Sequence, residues 1–329
     1  MSEGVRERGS LVAFCKFLAS CFLASFFFLP GEPRSPSLTL AFVGDVMLGR
    51  GVAQALDGDW EAAFAGVRPW LTGADLAFAN LESPLTTAPQ MSEGYDLRAP
   101  PEAVAALHMA GFDVLSLTNN HALDAGEAGL QETAGKLSSA GIAGLVDWET
   151  GKLVNWRTSR PTGLPTYLLL AFDDSTAPLN VAAATEAVAA AAEQAAVVVV
   201  SIHWGGEYQA APGPRQRAIA QALAGAGADI IVGHGPHVLQ RVEWVGETLV
   251  AYSLGNFLFD QPYPADCRQG AILRVTLQGD CVVAVEAVPT VVEQGRVRPA
   301  DPEDAAAILA RLNLQPQNLK PETIPEIHS

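Results

Sequence analysis

Short apolar runs that end in glycine and histidine set the strongest constraint on how this chain folds, and residues 229–261 show the pattern best. The run at 230–232 predicts a short buried strand. The glycines after it let the backbone turn, so that His234 and His237 project from the strand's C-terminal end. A second apolar run at 248–252 also stops at polar residues and glycine. Open α/β sheets place their chemistry at such strand ends.

The same pattern recurs upstream, with helical periodicity between successive apolar runs. Five further strands are predicted at residues 37–43, 76–79, 113–117, 168–172 and 197–202. Helices are predicted at residues 102–109, 126–140, 181–196 and 214–224. The run at 197–202 is continuous and β-branched, which is typical of a central strand buried on both faces. The alternation of strands and helices predicts a layered α/β architecture.

From residue 270 onward, the predicted strands follow one another without helices. Two apolar runs within 270–292 flank Gly279 and Asp280, a turn that favours a hairpin, and we expect this hairpin to form a second sheet beside the first. A final helix is predicted at 301–312, before a proline-rich tail. The predicted organisation is a leader and linker at 1–36, a main domain at 37–299, and a C-terminal helix with a loose tail at 300–329.

Residues 11–29 form an apolar run that only Lys16 interrupts and that Arg6 and Arg8 precede. This pattern predicts an export signal or a membrane anchor, with the basic flank inside and the main domain outside the cytoplasm. Two alternatives stay open, a lipoprotein cleavage site at Cys21 and a buried helix of the globular domain. We therefore expect the protein at the extracytoplasmic face of the cell envelope, anchored to the membrane or secreted.

Composition excludes some classes of partner and site. The net charge of -16 and the pI of about 4.7 argue against a nucleic-acid-binding surface. The four cysteines include no C-x-x-C pair, which excludes a zinc knuckle and a thioredoxin motif. A disulfide between Cys267 and Cys281 stays open for a protein outside the cytoplasm.

Carboxylate, amide and imidazole side chains follow the predicted strands. Because they share one edge of the sheets, they suit a two-metal hydrolytic centre, in which the ions acidify water and neutralise charge on phosphoryl oxygens. Taken singly, Asp45 is as typical of a turn or a helix cap as of a metal or phosphate site, and the pattern at Glu82 favours a capped turn. The residues at these ends are Asp45, Glu82, Asn119, Asn120, His121, His203, His234 and His237.

Six motifs occur in order between residues 38 and 292: GDVMLGRG, NLESPLT, LSLTNNHALDAGEAGL, VVSIHWGGEY, GHGPHVLQ and YSLGNFLFDQ. Together they resemble the CapA-type poly-γ-glutamate capsule synthesis proteins, a branch of the calcineurin-like metallophosphatases. The resemblance implies a metallophosphatase-like two-sheet β-sandwich flanked by helices. It also implies two bound divalent ions of manganese, iron or zinc.

The resemblance further implies a role for each matching residue. Asp45 would bind one ion, and Glu82 would bridge the ions or bind the second together with Asn120. His121 would be the general acid for a leaving oxygen, or a ligand itself. The complete set of implied metal ligands is Asp45, Glu82, Asn120, His203, His234 and His237.

Two positions would contact the substrate, and two motifs depart from the superfamily pattern. Arg50 would pair with a phosphate or carboxylate, with a surface salt bridge as the alternative, and Asn119 would orient the phosphate. The first motif has Met47 where the superfamily has histidine. In the fifth motif, Gly235 stands where many relatives have the first histidine of His-Pro-His, and His234 lies one residue earlier.

These observations support three hypotheses about function. The leading one is a membrane-associated metallophosphatase-like protein in the synthesis or export of poly-γ-glutamate or a related polymer, with hydrolysis of a phosphoester at the metal centre. The second is a non-catalytic component of a membrane synthase or exporter. The third is an exported phosphatase or phosphodiesterase unrelated to capsule. The expected partners are an anionic polymer or phosphoester substrate, membrane synthase subunits and, through the N-terminus, the membrane, but no nucleic acid.

Overall fold

The computed structural model describes residues 37–146, 154–156 and 166–314. The strands are β1 Ser37–Val46, β2 Leu76–Leu81, β3 Val114–Ser116, β4 Ala143–Leu145, β5 Val154–Trp156, β6 Tyr167–Asp173, β7 Val197–His203, β8 Ile230–His234, β9 Leu239–Val245, β10 Thr248–Leu254, β11 Asn256–Leu258, β12 Gln269–Gln278, β13 Cys281–Glu293 and β14 Arg296–Pro299. The α-helices are α1 Arg50–Leu56, α2 Arg68–Thr72, α3 Val104–Ala110, α4 Gly126–Ser139, α5 Val181–Ala192, α6 Pro214–Gly225 and α7 Pro302–Arg311.

The strands form two sheets. The first runs in the order β14-β13-β12-β1-β2-β3-β4, and β11 pairs with the end of β1. The second runs in the order β5-β6-β7-β8-β10-β9. Strand β7, between β6 and β8, is buried along all seven residues, which confirms the predicted central strand. Its β-branched run fits this place because side chains on both faces meet apolar layers.

The two sheets pack face to face, with helices on their outer faces. Phe42 and Phe78 of the first sheet lie in one apolar core with Val199 and Val232 of the second. A separate cluster joins the other face of the first sheet to α1–α4, and a third joins the second sheet to α5 and α6. This arrangement of layers confirms the predicted two-sheet sandwich flanked by helices.

The hairpin of β12 and β13 corrects one expectation. Its strands pair antiparallel as predicted, but β12 also pairs antiparallel with β1, in a register that joins Leu40 to Val275. The hairpin therefore extends the first sheet, and the second sheet is built from β5–β10. The physical reason is that β1 is ten residues long and offers a free edge opposite β2, which an alternating hairpin can occupy.

An aspartate lies just before each of three parallel strands and holds the neighbouring strand. In each case the aspartate backbone N–H donates to a carbonyl of that strand, and a carboxylate oxygen accepts the N–H of the same residue at 2.7–2.8 Å. We call these contacts the aspartate clasps. The pairs are Asp75 with Thr39, Asp113 with Ala77 and Asp229 with Val198.

Strands β1–β4 run parallel to one another in the first sheet, and β6, β7, β8 and β10 do so in the second, so their C-terminal ends form one edge per sheet. Helix α7 packs beside β9 and β13 and buries Ile308 between the sheets. Within the described ranges, a helix with the length and hydrophobicity of a membrane span does not occur. The apolar run at 11–29 and the tail from residue 315 lie outside those ranges.

Candidate metal centre

Buried polar side chains from both sheets meet at the C-terminal strand ends. Asp45 on β1 stands beside Asn80 on β2, and His203 on β7 stands beside His234 on β8. Glu82 follows β2 by one residue and is fully buried. Parallel pairing therefore brings residues that are far apart in sequence together, because each lies at the C-terminal end of its strand.

Asp45 is the centre of this cluster. Its Oδ1 accepts a hydrogen bond from Asn80 Nδ2 at 2.9 Å, and its Oδ2 accepts one from the Gly235 backbone N–H at 3.3 Å. His234 Nδ1 lies 3.4 Å from Oδ1, and His237 Nδ1 lies 3.3 Å from Oδ2. Both carboxylate oxygens thus face nitrogen atoms from the second sheet.

The residues present fit a divalent metal ion. Ligand atoms of Asp45, Glu82 and His203 lie within 4.8 Å of one another, and all three residues are buried. Among the described residues, Glu82 Oε1 and both ring nitrogens of His234 are buried without a hydrogen-bond partner. Buried polar atoms are normally paired. Carboxylate oxygens and imidazole nitrogens without protein partners are the donors that manganese, iron and zinc take.

The pKa shifts of the clustered side chains also favour a bound metal ion. Burial raises the pKa of Asp45, but the nearby imidazoles of His234 and His237 outweigh it, so this pKa lies well below its usual value. Burial, helped by Asp45, raises the pKa of Glu82 well above its usual value despite the opposing charge of His237. Burial lowers the pKa of His237, but the charges of Glu82 and Asp45 raise it to about 9. Near neutral pH, His237 therefore carries a proton. This proton supplies positive charge at the place where a bound metal ion would supply it.

A third imidazole differs in its pKa because its surroundings differ. Burial lowers the pKa of His203 to about 4, and the charge of Asp45 only partly compensates. Neutral imidazole is the form that binds metal. His203 is therefore ready to act as a ligand at neutral pH without losing a proton.

A chain of side-chain hydrogen bonds fixes the ring of His237. Its Nδ1 contacts Asn256 Oδ1 at 3.0 Å, and its Nε2 faces Glu82 Oε1 at 3.7 Å. Asn256 Nδ2 donates to Gln261 Oε1 at 2.9 Å and to the Cys267 carbonyl at 3.0 Å, which directs Asn256 Oδ1 toward the ring. This orientation leaves Nε2 toward the metal cluster, as outer partners of metal-binding histidines do.

His121 is oriented from a third side of the cluster. Its Nδ1 lies 2.8 Å from Asp124 Oδ2, and its Nε2 lies 3.9 Å from Glu82 Oε1. Asp124 is buried, whereas His121 is partly exposed. The carboxylate therefore fixes Nδ1 as the donor and turns Nε2 toward the cluster and solvent, where a general acid must stand.

Comparisons with known proteins agree with this geometry. A family model described as bacterial capsule synthesis protein PGA_cap matches residues 39–145 and 154–261. The chain belongs to the PGA_cap family. The capsule biosynthesis protein CapA of Bacillus anthracis is 31% identical over 289 residues, 81% of this chain and 70% of the relative. The PGA biosynthesis protein CapA of Bacillus subtilis is 31% identical over 283 residues, 80% of this chain and 73% of the relative.

A more distant relative and a solved structure extend the comparison. A probable polyglutamine synthesis accessory protein of Mycobacterium tuberculosis is 26% identical, over 68% of this chain and 74% of the relative. The crystal structure of a novel phosphatase from Mycoplasma pneumoniae superposes with a TM-score of 0.51 at 14% identity. It covers 82% of this chain and 96% of that one. This likeness shows that the PGA_cap chain shares its fold with that phosphatase.

Most of the predicted site residues of this PGA_cap protein come together, but one does not. The metal ligand predicted at Asn120 is an exposed residue. Its neighbour Asn119, predicted to contact substrate, is buried, and its Nδ2 donates to Asn80 Oδ1 and to the Leu81 carbonyl, each at 3.0 Å. The chain bends at Asn119 and turns at Asn120, and of the two amides only that of Asn119 is buried against the cluster.

Arg50, predicted to bind substrate, forms an ion pair with Asp260 and lies over the Tyr95 ring at 5.5 Å. This is the salt bridge that the sequence left open as the alternative. The disulfide between Cys267 and Cys281 does not form, because Cys267 is a free and buried thiol. Its carbonyl instead holds Asn256.

Gly235 explains why the last histidine motif of this PGA_cap chain has its own spacing. Its φ is +103°, and a Cβ at this position would lie 2.8 Å from His203 Nε2. A histidine there would displace the imidazole of His203 from the cluster. The sequence therefore places its ligand candidates on either side, at His234 and His237.

Three buried site residues were not predicted, namely Asn80, Asp124 and Asn256. Asn80 stands two residues before Glu82, a spacing that turns both side chains to the same face of a strand, and this signal was visible in the sequence. Asp124 lies three residues after His121, within reach across one turn. Asn256 carries no such local signal, because its partners come from a turn and a loop far along the chain.

Proposed function

We propose that this PGA_cap protein hydrolyses a phosphoester at a divalent metal centre, in the synthesis or export of an anionic polymer of the poly-γ-glutamate type. One observation carries the proposal: Asp45, Glu82 and His203 converge in a buried cluster that retains unpartnered ligand atoms. Family membership supports the capsule context. The fold shared with a solved phosphatase supports only the framework of the proposal, because a fold does not by itself determine the reaction.

Five side chains would hold the metal, and two ions would share them. They are Asp45, Glu82, His203, His234 and His237. Divalent ions at this position supply Lewis acidity, which neutralises phosphoryl oxygens and acidifies water. The buried amide of Asn119 lies against Asn80 and holds that residue in contact with Asp45.

His121 would donate the proton that the leaving oxygen needs. With Nδ1–H held by Asp124, the protonated ring carries its second proton on Nε2, on the side of Glu82. The buried carboxylate keeps the ring in position. After transfer, the ring is neutral with Nδ1–H still bonded to Asp124, which is the tautomer ready to take up a proton again.

The envelope location is part of the proposal and rests on the sequence. Residues 11–29 are apolar with a basic flank, a pattern of export or anchoring. The main domain would then act at the outer face, where polymer leaves the cell.

A non-catalytic role in a synthase or exporter is the second candidate, and one observation favours it. Met47 stands where the superfamily has a histidine ligand, and its buried Sδ accepts the Gly49 N–H at 3.0 Å. A thioether that is turned into its own loop removes one ligand from the first ion. Such a centre would hold metal for structure and leave hydrolysis to other proteins.

Metal analysis and hydrolysis assays on the full-length protein test these candidates. The matched variants are His203→Ala and His108→Ala, because His108 is an exposed histidine outside the cluster. We expect bound manganese, iron or zinc and hydrolysis of aryl phosphates in the wild type and in His108→Ala, and the loss of both in His203→Ala. Metal without hydrolysis of any phosphomonoester or phosphodiester would favour the non-catalytic role. Absence of metal after reconstitution would refute the hydrolase.

A further inference from the structure

Residues other than glycine rarely adopt a left-handed backbone, and three of those that do in the described ranges lie around the metal centre. They are Arg50 with φ of 46°, Tyr208 with φ of 62° and His237 with φ of 58°. The other three, Asp57, Gln294 and Asn313, lie at turns and helix ends. For a bulky side chain this conformation costs about 1–2 kcal/mol. Such strain tends to persist where the position of a side chain matters for function.

Tyr208 is the residue whose strain lacks an explanation in the proposed mechanism. It ends the motif HWGGEY, in which His203 is the ligand candidate. Its ring centre lies 6.4 Å from that of His237, and its N–H donates to the Pro236 carbonyl at 2.8 Å. The side chain is partly exposed, at 41%. Tyr208 therefore lies beside the candidate metal centre and is partly exposed to solvent, and we call this place the mouth of the centre.

The phenol oxygen of Tyr208 is tied to the centre through side chains already described. Gln261 Nε2 donates to it at 3.4 Å, and Gln261 Oε1 accepts from Asn256, which holds His237. Burial and Glu207 raise the pKa of Tyr208 to about 12, so its hydroxyl remains a donor at neutral pH.

A second tyrosine belongs to the same mouth. Tyr95 is 77% exposed and carries the Arg50 guanidinium over its ring. Asp260 holds Arg50, and the next residue, Gln261, holds Tyr208. Two neighbouring residues thus fix both sides of the mouth.

We propose that Tyr208 binds the organic group of the phosphoester, and that this group is an uncharged ring such as an aryl or glycosyl group. The inference rests on the proposed function and adds the substrate class. Ring faces stack on tyrosine. Charge at the mouth disfavours an anionic group, because Glu207 stands next to Tyr208 and Arg50 is already neutralised by Asp260. The strained backbone holds the phenol ring where the ester group would lie.

Binding of two phosphonates to the metal-loaded full-length protein tests this inference by calorimetry. Phenylphosphonate carries the ring, and methylphosphonate presents the same anion without it. We expect wild type to bind phenylphosphonate more tightly. Tyr208→Asn, which suits a left-handed backbone, should weaken phenylphosphonate binding about 5–10-fold and leave methylphosphonate binding unchanged. Tyr208→Phe should retain the preference, and so should Trp244→Asn, which removes an exposed aromatic ring elsewhere on β9.

Thermal unfolding separates a binding role from a structural one. Since asparagine relieves the strain, Tyr208→Asn should unfold at the wild-type temperature or above it. A lower unfolding temperature, equal loss of both phosphonates, or a wild type without preference for the ring would each overturn the inference. Wild type that prefers phenylphosphonate but turns over no phosphoester would refute the proposed hydrolase and leave the ring site intact. Turnover of a phosphoester by the wild type, together with unchanged phenylphosphonate binding in Tyr208→Asn, would support the proposed hydrolase and refute the ring site.

Discussion

Removal of metal should lower the stability of this protein by an amount that follows from the unpartnered atoms of the cluster. Three buried atoms, Glu82 Oε1 and the two ring nitrogens of His234, have no hydrogen-bond partner within the described ranges. A buried polar atom without a partner costs about 1–3 kcal/mol. A neutral imidazole binds metal through only one of its two nitrogens, so metal can satisfy Glu82 Oε1 and one nitrogen of His234. Binding would therefore raise the free energy of unfolding by at least about 2 kcal/mol. The same figure corresponds to free metal at roughly thirtyfold above its dissociation constant.

Calorimetric unfolding of the chelated and the reloaded full-length protein measures this effect. For a domain of this size, a change of about 2 kcal/mol shifts the unfolding temperature by roughly 4–8 °C. Asp45→Asn keeps the size of the side chain but removes the charge at the centre, so we expect this variant to lose the shift. The exposed His108 provides the control, and His108→Ala should keep the full shift.

Two results would contradict this reasoning. One is an unfolding temperature that does not change although elemental analysis finds metal in the reloaded protein. The other is a full shift in Asp45→Asn, since the ion would then lie elsewhere. Either result would mean that the unpartnered atoms of the cluster are satisfied by something other than metal, such as ordered water.

Three further predictions concern pH and packing. Because the pKa of His237 is about 9 and metal must displace its proton, metal affinity should rise as pH increases toward 9, with proton release measurable by calorimetry in two buffers. Burial raises the pKa of Asp229 to about 6, so the folded state binds its proton more tightly than the unfolded state, and stability should fall between about pH 4 and pH 6. Asp229→Asn can still accept the Val198 N–H. It should flatten this dependence and stabilise the protein by about 2 kcal/mol at pH 7 in urea titrations, and an unchanged pH profile would contradict the assignment. Gly233→Ala places a Cβ 2.1 Å from the Tyr252 carbonyl oxygen and should cost more than about 3 kcal/mol, whereas Gly225→Ala, with open space around it, should be neutral or stabilising. Equal stabilities of the two alanine variants would refute the packing argument.

The sequence predicted the parts of the fold that depend on local pattern. The β-branched run at β7 identified the central strand, and the stops after β1 and β8 identified Asp45 and His234, because apolar periodicity and chain reversal are encoded within a few residues. Parallel strands then bring those ends together without further information.

Other features depend on pairings that a local pattern does not contain. Asn119 and Asn120 are adjacent in an irregular loop, and the sequence does not indicate which of the two amides faces the cluster. The sheet that β12 joins is decided by which edge of β1 is free. Asn256 acquires its role from Gln261 and the Cys267 carbonyl, contacts that exist only after the chain has folded.

The aspartate clasps at the opposite ends of the strands bear on the order of assembly. Asp75, Asp113 and Asp229 each fix a strand to its neighbour through protein atoms alone, in both sheets. Strand register therefore does not depend on an ion. A chain built in this way can complete its two sheets first and take up metal afterwards, wherever the metal is available. Maturation would then be a late step that is separate in time and place from folding.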